Sequence, residues 1–276
     1  MGASLRMRIL TAIVGVPLVI LVLLAPKSIM TVIVMIASVM GLYEYYKAVG
    51  LDVHRDACIM GYIAALVISA GANYPTSVSV VLVYAFIIAL FTMMLMKNRT
   101  IGIVHIGMLL LGLIYIPYFL SHVLYIRSLE FGNFYVWLVF IGAFLTDTCA
   151  YFIGCRFGRH KLCPSISPNK TVEGAIGGIV GGGLAFVIFG IIVNIFFAKY
   201  LGGKHFSLIL LFILGIISAV ASEIGDLVAS SIKRQFNIKD FGNLLPGHGG
   251  ILDRCDSIIL VAPIIFLFLY NICIVV

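Results

Sequence analysis

Apolar residues run along this chain in long unbroken blocks, and polar residues gather in the short breaks between them. A helix needs about 20 apolar residues to cross the hydrocarbon of a bilayer. Matched to that length, the blocks predict nine membrane helices: Ile9–Ala25, Ile29–Val49, Ala57–Ala72, Val78–Met96, Ile101–Tyr125, Phe134–Phe152, Ala175–Phe197, Phe206–Ser231 and Ile258–Val276. The breaks at Pro26–Lys27, Asp52–Asp56, Asn73–Pro75, Lys97–Thr100, Arg127–Asn133 and Lys199–Lys204 suit turns at the membrane surface. The expected fold class is an all-α integral membrane protein, a polytopic bundle of about nine transmembrane helices with a cytoplasm-facing polar pocket. The chain reads as one membrane-embedded unit over residues 1–276. Residues 1–132 would supply helices for packing and assembly, and residues 133–276 the catalytic half. Arg6 and Arg8 ahead of the first block imitate a signal peptide, but the block is long and no small-x-small site follows it, so it reads as a retained helix.

Composition sharpens the picture. Hydrophobic residues make up 62% and charged residues 11% of the chain. A soluble domain has roughly 45–50% apolar and about 25% charged residues, so a soluble fold is excluded. With the N-terminus in the cytoplasm and nine alternating spans, all of the 18 Lys and Arg except Lys27, Arg127, Lys199 and Lys204 fall on the cytoplasmic side. That bias predicts N-in, C-out in a multi-pass protein of the bacterial inner membrane, with the active site facing the cytoplasm. The six cysteines are scattered without a C-x-x-C pair, which argues against a zinc knuckle or redox motif. Gly174, Gly178 and Gly182 recur every four residues in the seventh span, a face suited to close helix packing.

Charge beside hydrocarbon is costly, so the charged residues that remain point to chemistry. Glu223 and Asp226 share one helix face in the eighth span, where Asp226 suits a divalent metal ion and Lys233 or Arg234 would be the partner in a purely structural ion pair. Asp253 and Asp256 repeat that spacing at the start of the ninth helix, with Arg254 between them as a phosphate partner. Helix-dipole stabilisation would also account for those two acids. Pro246-Gly247-His248-Gly249-Gly250 leads into the same helix and forms a candidate anion nest. In it His248 would donate to phosphate or shuttle a proton. Asp147 in the sixth span should face a polar cavity. In the loop before the seventh span, Lys170 and Lys161 are candidate phosphate cations or topogenic charges. Ser167, Asn169 and Thr171 are candidate ligands or simple helix caps. Carboxylates for Mg²⁺, cations and an anion nest together are equipment for a polyphosphate.

The run Ser231-x-Lys233-Arg234-x4-Lys239-Asp240-x5-Pro246-Gly-His-Gly-Gly-x2-Asp253-Arg254-x-Asp256-Ser257 resembles the signature of the CDP-diacylglycerol synthase (phosphatidate cytidylyltransferase) family. Asp147-Thr-x-Ala-Tyr151, Ile166-Ser-Pro-x-Lys170-Thr-x-Glu173-Gly174 and Gly225-Asp226-Leu227 are similar to that family too. The sequence departs from that family in two respects: Ala229 and Ser230 stand where relatives often carry a Glu, and Cys255 stands where a larger aliphatic residue is usual. The resemblance implies that CTP and phosphatidic acid of the inner leaflet react to CDP-diacylglycerol and pyrophosphate, in phospholipid biosynthesis. It implies Mg²⁺, with two metal sites conceivable, a homodimer, and no nucleic-acid partner. On this reading Asp226, Asp253 and Asp256 hold metal, with Asp147 and Glu223 in reserve. Lys170, Lys233, Arg234, Lys239 and Arg254 neutralise phosphates. His248 and the amides of Gly247, Gly249 and Gly250 hold one phosphate group, beside Ser167 and Asn169. A CTP-dependent polyprenol or dolichol-type lipid kinase is the alternative, and an ion-coupled transporter a more distant one.

Overall fold

The computed structural model describes residues 15, 17–72, 76–97, 100–244 and 249–276. Chain contacts divide it into two compact units, one built from Met1–Tyr125 and Gln235–Cys255, the other from Ile126–Arg234 and Asp256–Val276.

The first unit opens with helical residues 17–24, followed by α1 (Lys27–Ala48), α2 (Arg55–Gly71), α3 (Thr76–Met96) and α4 (Ile103–Leu113). After α4 the chain widens into a π-helical turn at Ile114–Tyr118 and continues as α5 (Phe119–Arg127), whose last residues belong to the second unit. The sequence pattern predicts one uninterrupted span here. Pro117 explains the difference: its nitrogen has no hydrogen to donate, and the wider turn absorbs the loss. Ser121 Oγ donates to the Pro117 carbonyl at 2.5 Å. Tyrosines of α1 fill the space left by glycines on neighbouring helices. A Cβ at Gly112 would lie 2.8 Å from the Tyr45 ring, and one at Gly61 would overlap Tyr46. Ser69 Oγ donates to Ser38 Oγ at 3.2 Å, satisfying two buried hydroxyls in the α1–α2 contact.

The second unit contains α6 (Gly132–Phe157), α7 (Val172–Phe196), α8 (Leu208–Gln235) and all but the first turn of α9 (Leu252–Asn271). The glycine face of α7 is used for packing inside this unit. A Cβ at Gly178 would meet Ala150 Cβ at 3.0 Å, and one at Gly182 would meet Thr146 Oγ1 at 2.7 Å and Ala219 Cβ at 2.9 Å. A Cβ at Gly215 of α8 would stand 2.8 Å from Gly183 Cα, so the two backbones all but touch.

The fold is helical as expected, and short extended segments interrupt it in two places. Between α6 and α7, β1 (Lys161–Cys163) and β2 (Ser167–Thr171) form an antiparallel hairpin, with Lys161 opposite Thr171 and Cys163 opposite Ser167. At the C-terminus α9 stops at Asn271, short of the predicted Val276. Residues 274–276 pair with 205–207 instead: His205 N–H donates to the Val276 carbonyl, and Ser207 N–H to Ile274, both at 2.8 Å. Phe206 N–H, which faces the other way, donates to Asn194 Oδ1 at 2.7 Å. Among the described residues, five helical segments are long and apolar enough to cross a membrane: Lys27–Ala48, Ile103–Arg127, Gly132–Phe157, Val172–Phe196 and Leu208–Gln235. This is a helical integral membrane protein.

Candidate active site

The second unit gathers acids around one lysine. Lys170 lies on β2, directly before the Thr171 side chain that caps α7 by accepting from Gly174 N–H at 3.1 Å. The cap fixes the end of the hairpin, and the hairpin carries the ammonium inward. Lys170 Nζ reaches Glu223 Oε2 at 2.6 Å and Asp226 Oδ2 at 2.8 Å, both on α8. The i, i+3 spacing puts the two carboxylates on one face, as their sequence separation requires. Burial works against the Lys170 ammonium, yet the charge of Asp226 and its hydrogen bonds to Asp226 and Glu223 outweigh it, so the lysine holds its proton more tightly than a free one.

Asp147 and Asp256 complete the cluster. Gly225 of α8 lets the backbone of α9 come close: a Cβ there would lie 2.7 Å from the Asp256 carbonyl oxygen. That close approach gives the glycine of the Gly225-Asp226-Leu227 triplet its role. Next along α9, Ser257 Oγ donates to Asp147 Oδ2 at 3.3 Å, and Ser257 N–H to Asp256 Oδ1 at 2.8 Å. Asp147 lies within electrostatic reach of Asp226, Lys170, Asp256 and Glu223. Asp147 thus shares its surroundings with three further carboxylates and the Lys170 ammonium.

That balance fits an added cation. Glu223 is only 6% exposed, and its Oε1 is buried with no hydrogen-bond partner among the described residues. An excess of acid in a low-dielectric site, with an unused carboxylate oxygen, is the donor set a hard divalent ion takes. Among the described residues no three acidic, histidine or cysteine groups already converge on one point. Lys170 Nζ itself fills the place between Glu223 and Asp226.

The remaining expected site residues of the second unit are less engaged. Asn169 is exposed and Ser167 half-buried on β2. Arg234, at the end of α8, donates from Nε to the Ile166 carbonyl at 3.3 Å and so holds the hairpin tip. Lys233 is half-buried beside it.

In the first unit, Asp253 is buried at 6% exposure. Its Oδ2 accepts from Phe241 N–H at 2.8 Å and from Gly250 N–H at 3.0 Å. The Gly250 amide, which the sequence pattern offers to phosphate, is therefore directed at Asp253. Gly249 has φ +81°, a left-handed conformation that favours glycine, and its missing Cβ leaves room for the same carboxylate. Lys239 and Arg254 are exposed. Gly247 and His248 lie outside the described residues.

Residues 6–272 match the Cytidylyltransferase family, which is nearly the whole chain. The chain belongs to that family. Within it, this cytidylyltransferase is similar to a phosphatidate cytidylyltransferase of Bacillus subtilis (strain 168), at 30% identity over 273 residues, 96% of this chain and 98% of the relative. A phosphatidate cytidylyltransferase of Rickettsia bellii is 42% identical over 158 residues, 57% of this chain and 67% of its own. One from Staphylococcus haemolyticus is 44% identical over 138 residues, half of each chain.

Two polar residues of the cytidylyltransferase are given no role by the sequence pattern. Ser257 ends the signature run and carries the bond to Asp147. Glu44 is the larger omission: it is 5% exposed in α1, a carboxylate at the end of an apolar block. Its position in that block was the available signal, because a buried acid needs partners.

Proposed function

We propose that this chain transfers the cytidylyl group of CTP to phosphatidate, giving CDP-diacylglycerol and pyrophosphate. The observation that carries this reading is the end-to-end similarity to the Bacillus subtilis phosphatidate cytidylyltransferase, which covers 96% of one chain and 98% of the other. A phosphate oxygen of phosphatidate attacks the α-phosphorus of CTP. The bond from that phosphorus to the bridging oxygen breaks, and pyrophosphate leaves with its electrons. The nucleophile is already an anion, so no strong base is required. The barrier is repulsion between anions and charge growing on the leaving group, which fixed cations reduce.

The residues divide this work. In the second unit, Lys170, with Lys233 and Arg234, offsets phosphate charge, and Ser167 and Asn169 offer hydrogen bonds. Lys239 and Arg254 are further candidate phosphate cations on their sequence pattern, with His248, Gly247 and Gly249 as the candidate phosphate-holding segment; the Gly250 amide is already taken by Asp253. Asp226 and Asp256 would hold Mg²⁺, with Asp147 and Glu223 as further carboxylates. Asp253 stands as a further ligand candidate on its sequence pattern alone. When bound, the ion supplies positive charge to the triphosphate. We further propose the nine-span, N-in, C-out arrangement in the bacterial inner membrane, a catalytic half over residues 133–276, a cytoplasm-facing site, phosphatidate from the inner leaflet, and a homodimer.

The test uses the purified chain with phosphatidic acid and CTP labelled at either the α or the γ phosphate. Label in lipid from α-labelled CTP alone is expected. Transfer of γ label would establish a lipid kinase instead, and no transfer from either position would reject both.

A further inference from the structure

Glu44 is the carboxylate that the proposed reaction leaves without a task. It projects from the last turns of α1 onto the start of α9, more than two hundred residues along the chain. Oε1 accepts from Ile251 N–H at 3.0 Å and Oε2 from Leu252 N–H at 2.8 Å. Amides at the start of a helix have no partner inside it, and negative charge is favoured there. Gly242 and Gly250 pack onto the same carboxylate, and a Cβ on either would overlap it. Neither glycine has a positive φ, so the space they leave for Glu44 accounts for them better than turn geometry does. Asp253 answers from the other side, accepting from Phe241 and Gly250. Two buried acids thus clamp residues 241–242 and 250–252, and Arg254 follows two residues later on α9.

A helix cap needs only a short local side chain such as Ser or Asp. Burying a long carboxylate from a distant helix is costly unless it is fully hydrogen-bonded. Its yield here is a fixed orientation for the first turn of α9. We propose that Glu44 is a positioning residue for nucleotide binding, setting the first turn of α9 so that Arg254 meets the triphosphate of CTP. The proposal rests on the CTP-dependent function above.

The test compares wild type, Glu44→Gln and Glu44→Asp as purified full-length chains. Gln keeps the shape but turns an NH₂ toward one of the two amides. Asp keeps the charge and withdraws it by one methylene. Glu44→Gln is expected to raise KM for CTP about tenfold or more while KM for phosphatidate stays unchanged, and Glu44→Asp to restore part of the loss. Hydrogen exchange supplies a readout independent of turnover. CTP should protect residues 249–254 in wild type, and Glu44→Gln should need about tenfold more CTP for the same protection. Unchanged KM and unchanged protection would overturn the proposal. So would equal losses for both substrates with faster exchange throughout α1 and α2, the signature of a purely structural contact. If wild type transfers no label, the proposed function has failed. The CTP protection then still decides on Glu44, and its absence in wild type would overturn the positioning role too. If Glu44→Gln does not fold, the KM ratio of Glu44→Asp decides alone, and a ratio equal to wild type overturns the proposal.

Discussion

Lys170 is the residue on which the site's charge balance turns. It is the ammonium that offsets Glu223 and Asp226, and its side chain is 20% exposed. Lys170→Met leaves both acids facing each other, a loss on the order of 3 kcal/mol for a buried pair deprived of one partner. The variant should melt below wild type and lose about 100-fold or more in kcat/KM, the scale of one missing charge-stabilising donor. The sign of its pH dependence follows from the raised pKa. A lysine whose folded pKa lies above its free value of 10.5 contributes fully below that value and loses its contribution as pH rises through the folded pKa. The lysine's share of the Tm gap between wild type and Lys170→Met should therefore persist at pH 9 and be lost only in strong alkali, while the two acids left unpaired in the variant take up protons and narrow the gap as pH falls. A gap already lost at pH 9 would show that the lysine is not held as described. The acids themselves were legible as isolated costs in an apolar sequence. Their partner was not, because Lys170 is 53 residues from Glu223 and nothing in either segment encodes the pairing.

At the scale of elements, hydropathy marked the described helices because burial in lipid imposes length and composition together, while the start of the predicted first span, Ile9–Ala25, lies outside the described residues. α8 was expected at Phe206–Ser231 and runs Leu208–Gln235. The misses share a cause. The π-turn at Pro117, the hairpin before α7 and the strand-like C-terminus all depend on where backbone hydrogen bonds go, which a hydropathy pattern does not record. The glycines of α7 were read as a packing face, and the structure shows which surfaces they meet. Gly182→Val should cost about 1–3 kcal/mol by overpacking against Thr146 and Ala219. Gly107→Ala in α4, whose Cβ would meet nothing within 4 Å, should leave Tm unchanged or slightly raised. Thermal melts of the two variants check the contrast, and equal effects would refute the close α6–α7–α8 packing.

For the whole molecule, the positive-inside bias makes a claim about sides. Cys163 lies in the hairpin and Cys273 in the C-terminal segment. In chains retaining only one of these cysteines, a membrane-impermeant maleimide applied to intact cells should label Cys273 and spare Cys163 until the membrane is permeabilised. The reverse pattern would invert the topology and put the acidic cluster on the wrong side for cytoplasmic CTP.

If the acids around Lys170 take a divalent cation, Mn²⁺ binding followed by electron paramagnetic resonance will reveal it. Titration of the purified wild-type chain should show saturable Mn²⁺ binding that Mg²⁺ competes away. Asp226→Asn and Asp256→Asn should each weaken it about tenfold or more while melting like folded protein. Wild-type affinity in both variants would contradict the account.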